Sequence, residues 1–69
     1  MLTMEKLIAI LKDHGWGDNA LDIQDNGKLH CYCWIDSVTG AWGYDVLEIR
    51  NGKFYCNGKP ENLKAWLGY

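Results

Sequence analysis

The sequence predicts an α+β fold: a four-stranded antiparallel β-meander carrying an N-terminal helix and a short C-terminal helix, arranged αββββα in two layers. Three observations predict it. Apolar residues repeat at helical spacing near the start, change to a period of two from about residue 21, and return to helical spacing near the end. Asn-Gly and similar turn signals punctuate the middle. At 69 residues the chain is expected to form one domain, 1–69, near the lower size limit for independent folding. Nearly half of it (48%) is hydrophobic and it holds a single proline, which suits a packed core and disfavours a disordered linker.

The first helix is expected over Thr3–His14. Met4, Leu7, Ile8 and Leu11 form its stripe and Ile10 widens it. Thr3 is a natural N-cap, with Lys6 rather than Glu at the reciprocal position of a capping box. Gly15 suits the residue just past the end, and His14 beside the last carbonyls suits the helix dipole. Gly15–Asn19 then reads as a turn.

Four strands follow. Leu21 and Ile23 alternate with Asp22 and Gln24; Leu29, Cys31, Cys33 and Ile35 alternate with His30, Tyr32, Trp34 and Asp36. Leu47 and Ile49 alternate with Val46, Glu48 and Arg50; Phe54 and Cys56 alternate with Lys53 and Tyr55. Asn51-Gly52 between Arg50 and Lys53 favours a type I′ hairpin, which sets Ile49 against Phe54 and Leu47 against Cys56. Asp25-Asn26-Gly27 fits a three-residue loop with Gly27 left-handed, pairing Ile23 with Leu29 and Leu21 with Cys31. A two-residue loop there would set Gln24 against Leu29 and mix the faces. The Ser37–Ala41 loop is expected to bring Trp34 near Tyr44 and Tyr32 near Val46. A second helix is expected over Lys59–Gly68, with Pro60 at its first position, Asn57 or Gly58 near its cap, and Leu63, Trp66 and Leu67 as its stripe.

Alternation sorts the sheet into two faces. One is aliphatic and thiol-bearing: Leu21, Ile23, Leu29, Cys31, Cys33, Ile35, Leu47 and Ile49, with Phe54 and Cys56. The other holds Tyr32, Trp34, Trp42, Tyr44, Val46 and Tyr55, ringed by charged groups. Both helices can lie on the aliphatic face, which would leave the aromatics open. The competing arrangement has the second helix, with Trp66, crossing over to cover them.

Charge is uneven along the chain although the total is only −2. Residues 15–49 hold six acids (Asp18, Asp22, Asp25, Asp36, Asp45, Glu48) against Lys28 alone, whereas Arg50, Lys53, Lys59 and Lys64 outnumber Glu61 in the last twenty. No apolar run approaches the roughly 18 residues of a membrane span, and the first residues lack a signal peptide's apolar block. A cytoplasmic protein is expected. The odd count of three cysteines argues for free thiols rather than a disulfide framework.

His30-Cys31-Tyr32-Cys33 invites a metal reading, but a period of two sends the thiols to one face and His30 to the other. Buried structural thiols are the expectation; no metal and no cofactor is expected. No histidine is placed to activate a thiol, no glycine-rich loop matches a phosphate cradle, and no enzyme is expected. Aromatics on a sheet can stack bases, but these lie in the acidic stretch, so direct nucleic-acid binding is disfavoured. Aromatic side chains with acidic neighbours fit a protein-binding site facing a basic partner. The candidate contact residues are Asp22, Tyr32, Trp34, Asp36, Trp42, Tyr44, Asp45 and Glu48. For the charge bias, an ordinary solvated surface is the bland alternative. A monomer is expected over a dimer, with an exposed edge strand as the feature that would allow the latter.

Taken together, the short chain, the missing catalytic motif, the acidic sheet region from Asp18 to Glu48 and the free cysteines resemble the small phage-encoded anti-CRISPR inhibitors. The likeness is one of type and spans the whole chain. It implies an inhibitor in the bacterial cytoplasm that binds a CRISPR effector subunit of a type I surveillance complex and blocks its DNA-binding surface by sterics and charge. The modest net charge departs from the strongly acidic DNA mimics, so only a local patch would imitate phosphate. The rival expectation is an adaptor module that binds a peptide or ligand through the aromatic face.

Overall fold

The computed structural model describes residues 1–69. Helix α1 spans Met4–Asp13 and a 3-10 turn spans Asp18–Ala20. Strands β1 (Leu21–Ile23), β2 (Leu29–Ile35), β3 (Trp42–Arg50), β4 (Lys53–Cys56) and β5 (Lys59–Pro60) follow, and α2 (Leu63–Leu67) closes the chain. The strands form one antiparallel sheet in sequence order, β1-β2-β3-β4-β5. The α+β class and the meander hold; the strand count is five rather than four.

Local chemistry explains the elements. The Thr3 hydroxyl accepts the Lys6 N–H at 3.2 Å and so satisfies one of the free donors that begin α1. Gly15 leaves the helix at φ +100°. Asn51 and Gly52 both have positive φ (51° and 77°), the signature of a type I′ turn, and the register Ile49↔Phe54 and Leu47↔Cys56 follows from it. Gly27 sits at φ +81° in the first hairpin, which pairs Ile23↔Leu29 and Leu21↔Cys31 as expected.

The fifth strand corrects the reading of the C-terminal segment. Asn57 and Gly58 also take positive φ (53° and 83°), so they make a second tight Asn-Gly hairpin rather than a helix cap. Cys56↔Lys59 and Tyr55↔Pro60 pair across it. Pro60, with no N–H to offer, is at home on this outermost strand. Helix α2 therefore starts later, with Asn62 as its cap accepting the Ala65 N–H at 3.2 Å, and stops at Gly68 in the left-handed region.

A second correction concerns β2 and β3. Leu29↔Leu47, His30↔Val46, Cys31↔Asp45 and Tyr32↔Tyr44 share one register; past Tyr32 it slips, and Trp34↔Gly43 and Ile35↔Trp42 are paired. The extra residue at Cys33 is a β-bulge. Tyr32 thus meets Tyr44, not Val46, and Trp34 meets Gly43, not Tyr44. Because paired residues share a face, the bulge also exchanges the two side chains beyond it.

The core lies on one side of the sheet. Leu7 and Leu11 of α1 pack on Leu29, Cys31, Leu47 and Phe54, all buried, with Leu63, Trp66 and Leu67 of α2 against the same cluster. Each fully buried leucine stabilises the fold by about 1.5–3 kcal/mol. Both helices thus pack on the aliphatic face, leaving Ile23 and Trp34 at its margin exposed, and the arrangement in which α2 crosses to the aromatic side does not occur. Trp66 stacks on Trp16 (5.6 Å between centroids, 24° between planes) and meets the edge of Phe54 at 5.9 Å.

Candidate functional site

The uncovered face is built from the even-numbered side chains of β2 and β3 up to the bulge. His30 stacks on Tyr44 (4.3 Å, 14°), and Tyr32 tilts against the same ring at 5.2 Å. Tyr44 is thus clamped between neighbours while 42% exposed. Trp42 continues the row at 63% exposure, beside Ile35 at 55%. The 3-10 turn flanks this end: Asn19 and Ala20 face Tyr32 and Trp42 across an open depression of about 440 Å³. Exposed large apolar groups clustered in this way are unusual on a small monomer without a contact to make.

The other end of the face is polar. Glu48 takes two hydrogen bonds from the Arg50 guanidinium, at 2.7 and 3.0 Å, with Lys28 at 3.9 Å. The Arg50 hydrogen bonds hold the Glu48 carboxyl below the usual carboxylate range and raise the Arg50 pKa in return. The same guanidinium lies 4.5 Å above the Tyr55 ring. At the other margin, Lys12 pairs with Asp18 at 2.7 Å and its hydrogen bond lowers the Asp18 pKa.

The eight contact candidates are therefore divided. Asp22, Tyr32, Trp42, Tyr44 and Glu48 share the open face. Trp34 does not: the bulge turns it to the helix-facing side, where its indole occupies the space a Cβ on Gly43 would take. Ile35 takes its place on the aromatic side. Asp36 organises the hairpin loop, accepting the Val38 N–H at 2.8 Å and the Thr39 N–H at 3.3 Å. Asp45 is opposite Cys31 on the helix-facing side. It accepts the Trp66 indole N–H at 3.0 Å, the Asn57 amide at 3.3 Å and the Cys33 thiol at 3.6 Å. Its carboxylate ties α2 to the sheet, so it leaves the set of surface contacts.

These placements thin the acidic rim expected of this face. With Glu48 neutralised and Asp45 on the other side, Asp22 on the face and Asp36 in the loop at its end are the carboxylates left without an ion-pair partner. Ile35, Asn19 and Ala20 are the additions that sequence reasoning missed. Nothing in the residue pattern signals the bulge that brings Ile35 round.

The three thiols lie on the helix-facing side, Cys31 buried and Cys33 and Cys56 half-buried, and all are free. Burial, followed by the charges of neighbouring groups including Asp45, pushes the Cys31 pKa up to about 12 and that of Cys56 up to about 11; Cys33 is raised by the same causes. Such thiols are poor nucleophiles near neutrality. No three His, Cys, Asp or Glu side chains converge within metal-binding reach, and no helix is long and apolar enough to cross a membrane.

No protein-family model, curated protein or solved structure matches the chain.

Proposed function

We propose that this domain is a non-enzymatic protein-binding inhibitor that docks through the aromatic end of its open sheet face. In its specific form the proposal is an anti-CRISPR protein, acting in the bacterial cytoplasm by occupying the DNA-binding surface of a type I surveillance complex. One observation supports docking above the others: both helices pack on the aliphatic face, and Trp42, Tyr44 and Ile35 stay exposed on the opposite one. Aromatic groups held rigid by their neighbours lose little side-chain freedom on binding, which makes them effective anchors. The anti-CRISPR form rests on the likeness of type, and on Asp22 and Asp36, which favour a basic surface beside the anchors.

The open depression beside Trp42 favours a second reading, an adaptor that binds a peptide or ligand without inhibiting anything. Affinity capture of the full chain from bacterial lysate, followed by a target-DNA binding assay on a purified type I surveillance complex, separates the two. The inhibitor reading expects an effector subunit to be captured and DNA binding to be lost, with Trp42→Ala and Tyr44→Ala relieving the loss. Unchanged DNA binding at saturating protein overturns it.

A further inference from the structure

The pairing of β1 stops at Leu21↔Cys31, while β2 runs on to Ile35. The chain before Leu21 bends into the 3-10 turn instead of continuing as strand. Residues Tyr32–Ile35 therefore have a paired strand on the β3 side only, with the 3-10 turn close to Tyr32 but not hydrogen-bonded to it. The hydrogen-bond phase fixes which main-chain groups face the vacant side. Gln24 N–H donates to the Lys28 carbonyl at 2.8 Å, so Asp22–His30 is the next bonded pair and Tyr32 points the same way by alternation. On the other side of the bulge, Asp36 N–H donates to the Ala41 carbonyl at 2.9 Å. Trp34–Gly43 is then the next bonded pair, and the main chain of Ile35 faces away from β3.

The vacant edge borders the depression lined by Asn19, Ala20, Tyr32 and Trp42. Two outward main-chain positions, Tyr32 and Ile35 on either side of the bulge, stand beside an apolar socket, and outward main-chain groups with a side-chain pocket are what extended peptides use to add themselves to sheets. We propose that the Tyr32–Ile35 edge of β2 receives an extended segment of the partner as an added strand. That segment places one apolar side chain in the depression and carries a basic residue for Asp22 or Asp36. The proposal rests on the docking face described above and specifies the form of what docks. Charge selects this occupant over a second copy of the chain. Strand pairing about this edge between two copies would bring like carboxylates, Asp22 and Asp36, to the same seam, where a basic partner meets neither repulsion nor an unpaired charge.

Ile35→Pro tests it, because proline deletes the outward N–H and is tolerated where the ladder is unpaired. Ile35→Ala controls for the lost side chain. The probe is a display library of random short peptides panned on the full chain, with one enriched peptide then synthesised for titration. The expected result is enrichment of extended sequences joining an apolar to a basic residue. The synthetic peptide should bind Ile35→Pro about tenfold more weakly than Ile35→Ala, the loss of one main-chain hydrogen bond. N-methylation of its facing amide should weaken it similarly. Equal binding by the two variants overturns strand addition; if Trp42→Ala abolishes that same binding, docking on the face survives without it. No enrichment overturns the proposal, as does a concentration-dependent dimer in sedimentation that Ile35→Pro abolishes, which would assign the edge to a second copy.

Discussion

Trp66 in α2 and Trp42 in β3 lie on opposite sides of the sheet, and the structure assigns them opposite thermodynamic weight. Trp66 stacks on Trp16, touches Phe54 and donates its indole N–H to the half-buried Asp45 carboxylate. Trp66→Phe keeps a ring in place but removes that donor. A hydrogen bond to a charged group contributes about 1.5–3 kcal/mol, and the partial exposure of this one argues for the lower end. With the lost ring atoms the change should cost about 2 kcal/mol. For a domain of this size that corresponds to a fall in Tm of roughly 8–16 °C. Trp66→Ala loses the packing as well and should cost about 3–4 kcal/mol. The whole fold is worth only roughly 3–10 kcal/mol at typical values per residue, so that variant approaches the unfolding limit. Trp42→Ala, on the open face, should stay within about 0.5 kcal/mol. Far-UV circular dichroism reports all three melts without relying on indole emission. Asp45→Ala in combination with Trp66→Phe should be less than additive by about 1 kcal/mol, since each removes one side of the same hydrogen bond. A Trp42→Ala penalty equal to that of Trp66→Phe would refute the assignment of faces.

Other consequences are measurable in the same way. At pH 8 a thiol with a pKa of about 12 is ionised in about one molecule in ten thousand. Cys31 should therefore react with a disulfide reagent at least a hundredfold more slowly in the folded chain than in urea; comparable rates would contradict its burial. Because folded-state thiol pKa values are raised, their contribution to stability is complete below pH ~8.5 and is lost as pH climbs through 11–12. Melts taken across that range should fall, and Cys31→Ala combined with Cys56→Ala should flatten the decline. Gly43→Ala puts a methyl where the Trp34 indole lies, so the ring must swing outward at a cost of about 1–3 kcal/mol; an unmoved Trp34 indole N–H resonance would show that it does not. Gly58→Ala, at φ +83°, should destabilise by about 1 kcal/mol in urea titration, whereas Gly17→Ala, at φ −82°, should not.

The parts of this fold that were legible in the sequence are those set by local rules. The Thr3 cap, the Gly15 exit, the Asn51-Gly52 turn and the Gly27 loop each depend on a few adjacent residues, and the pairings they dictate hold. Asn57-Gly58 carried the same signal as Asn51-Gly52. The following Pro60 suits a helix start and an outer strand equally well, so local rules alone do not decide between them. The bulge at Cys33 is not legible, because its mark in the structure is the pairing of Trp34 with Gly43, two residues nine positions apart. That single slip moved Trp34 off the candidate face and Ile35 onto it. Asp45 escapes a local reading for a related reason: its role depends on Trp66, and no residue pattern announces that a carboxylate will meet a particular indole across the fold.

The sheet's strand order also bears on how the chain reaches this shape. Every strand pairs with its immediate successor; two of the four connections are two-residue turns and the other two are short loops. Loop-closure entropy is small for each such step, so the meander can zip from any hairpin without waiting for distant segments to meet. The two helices contribute the distant encounters, α1 closing onto strands a few dozen residues later and Trp66 onto Trp16. Assembly should therefore be fast and late-polarised, with the hairpins forming early and the docking of α2 completing the fold. The five-residue α2 would also be the first element to fray when the native state opens.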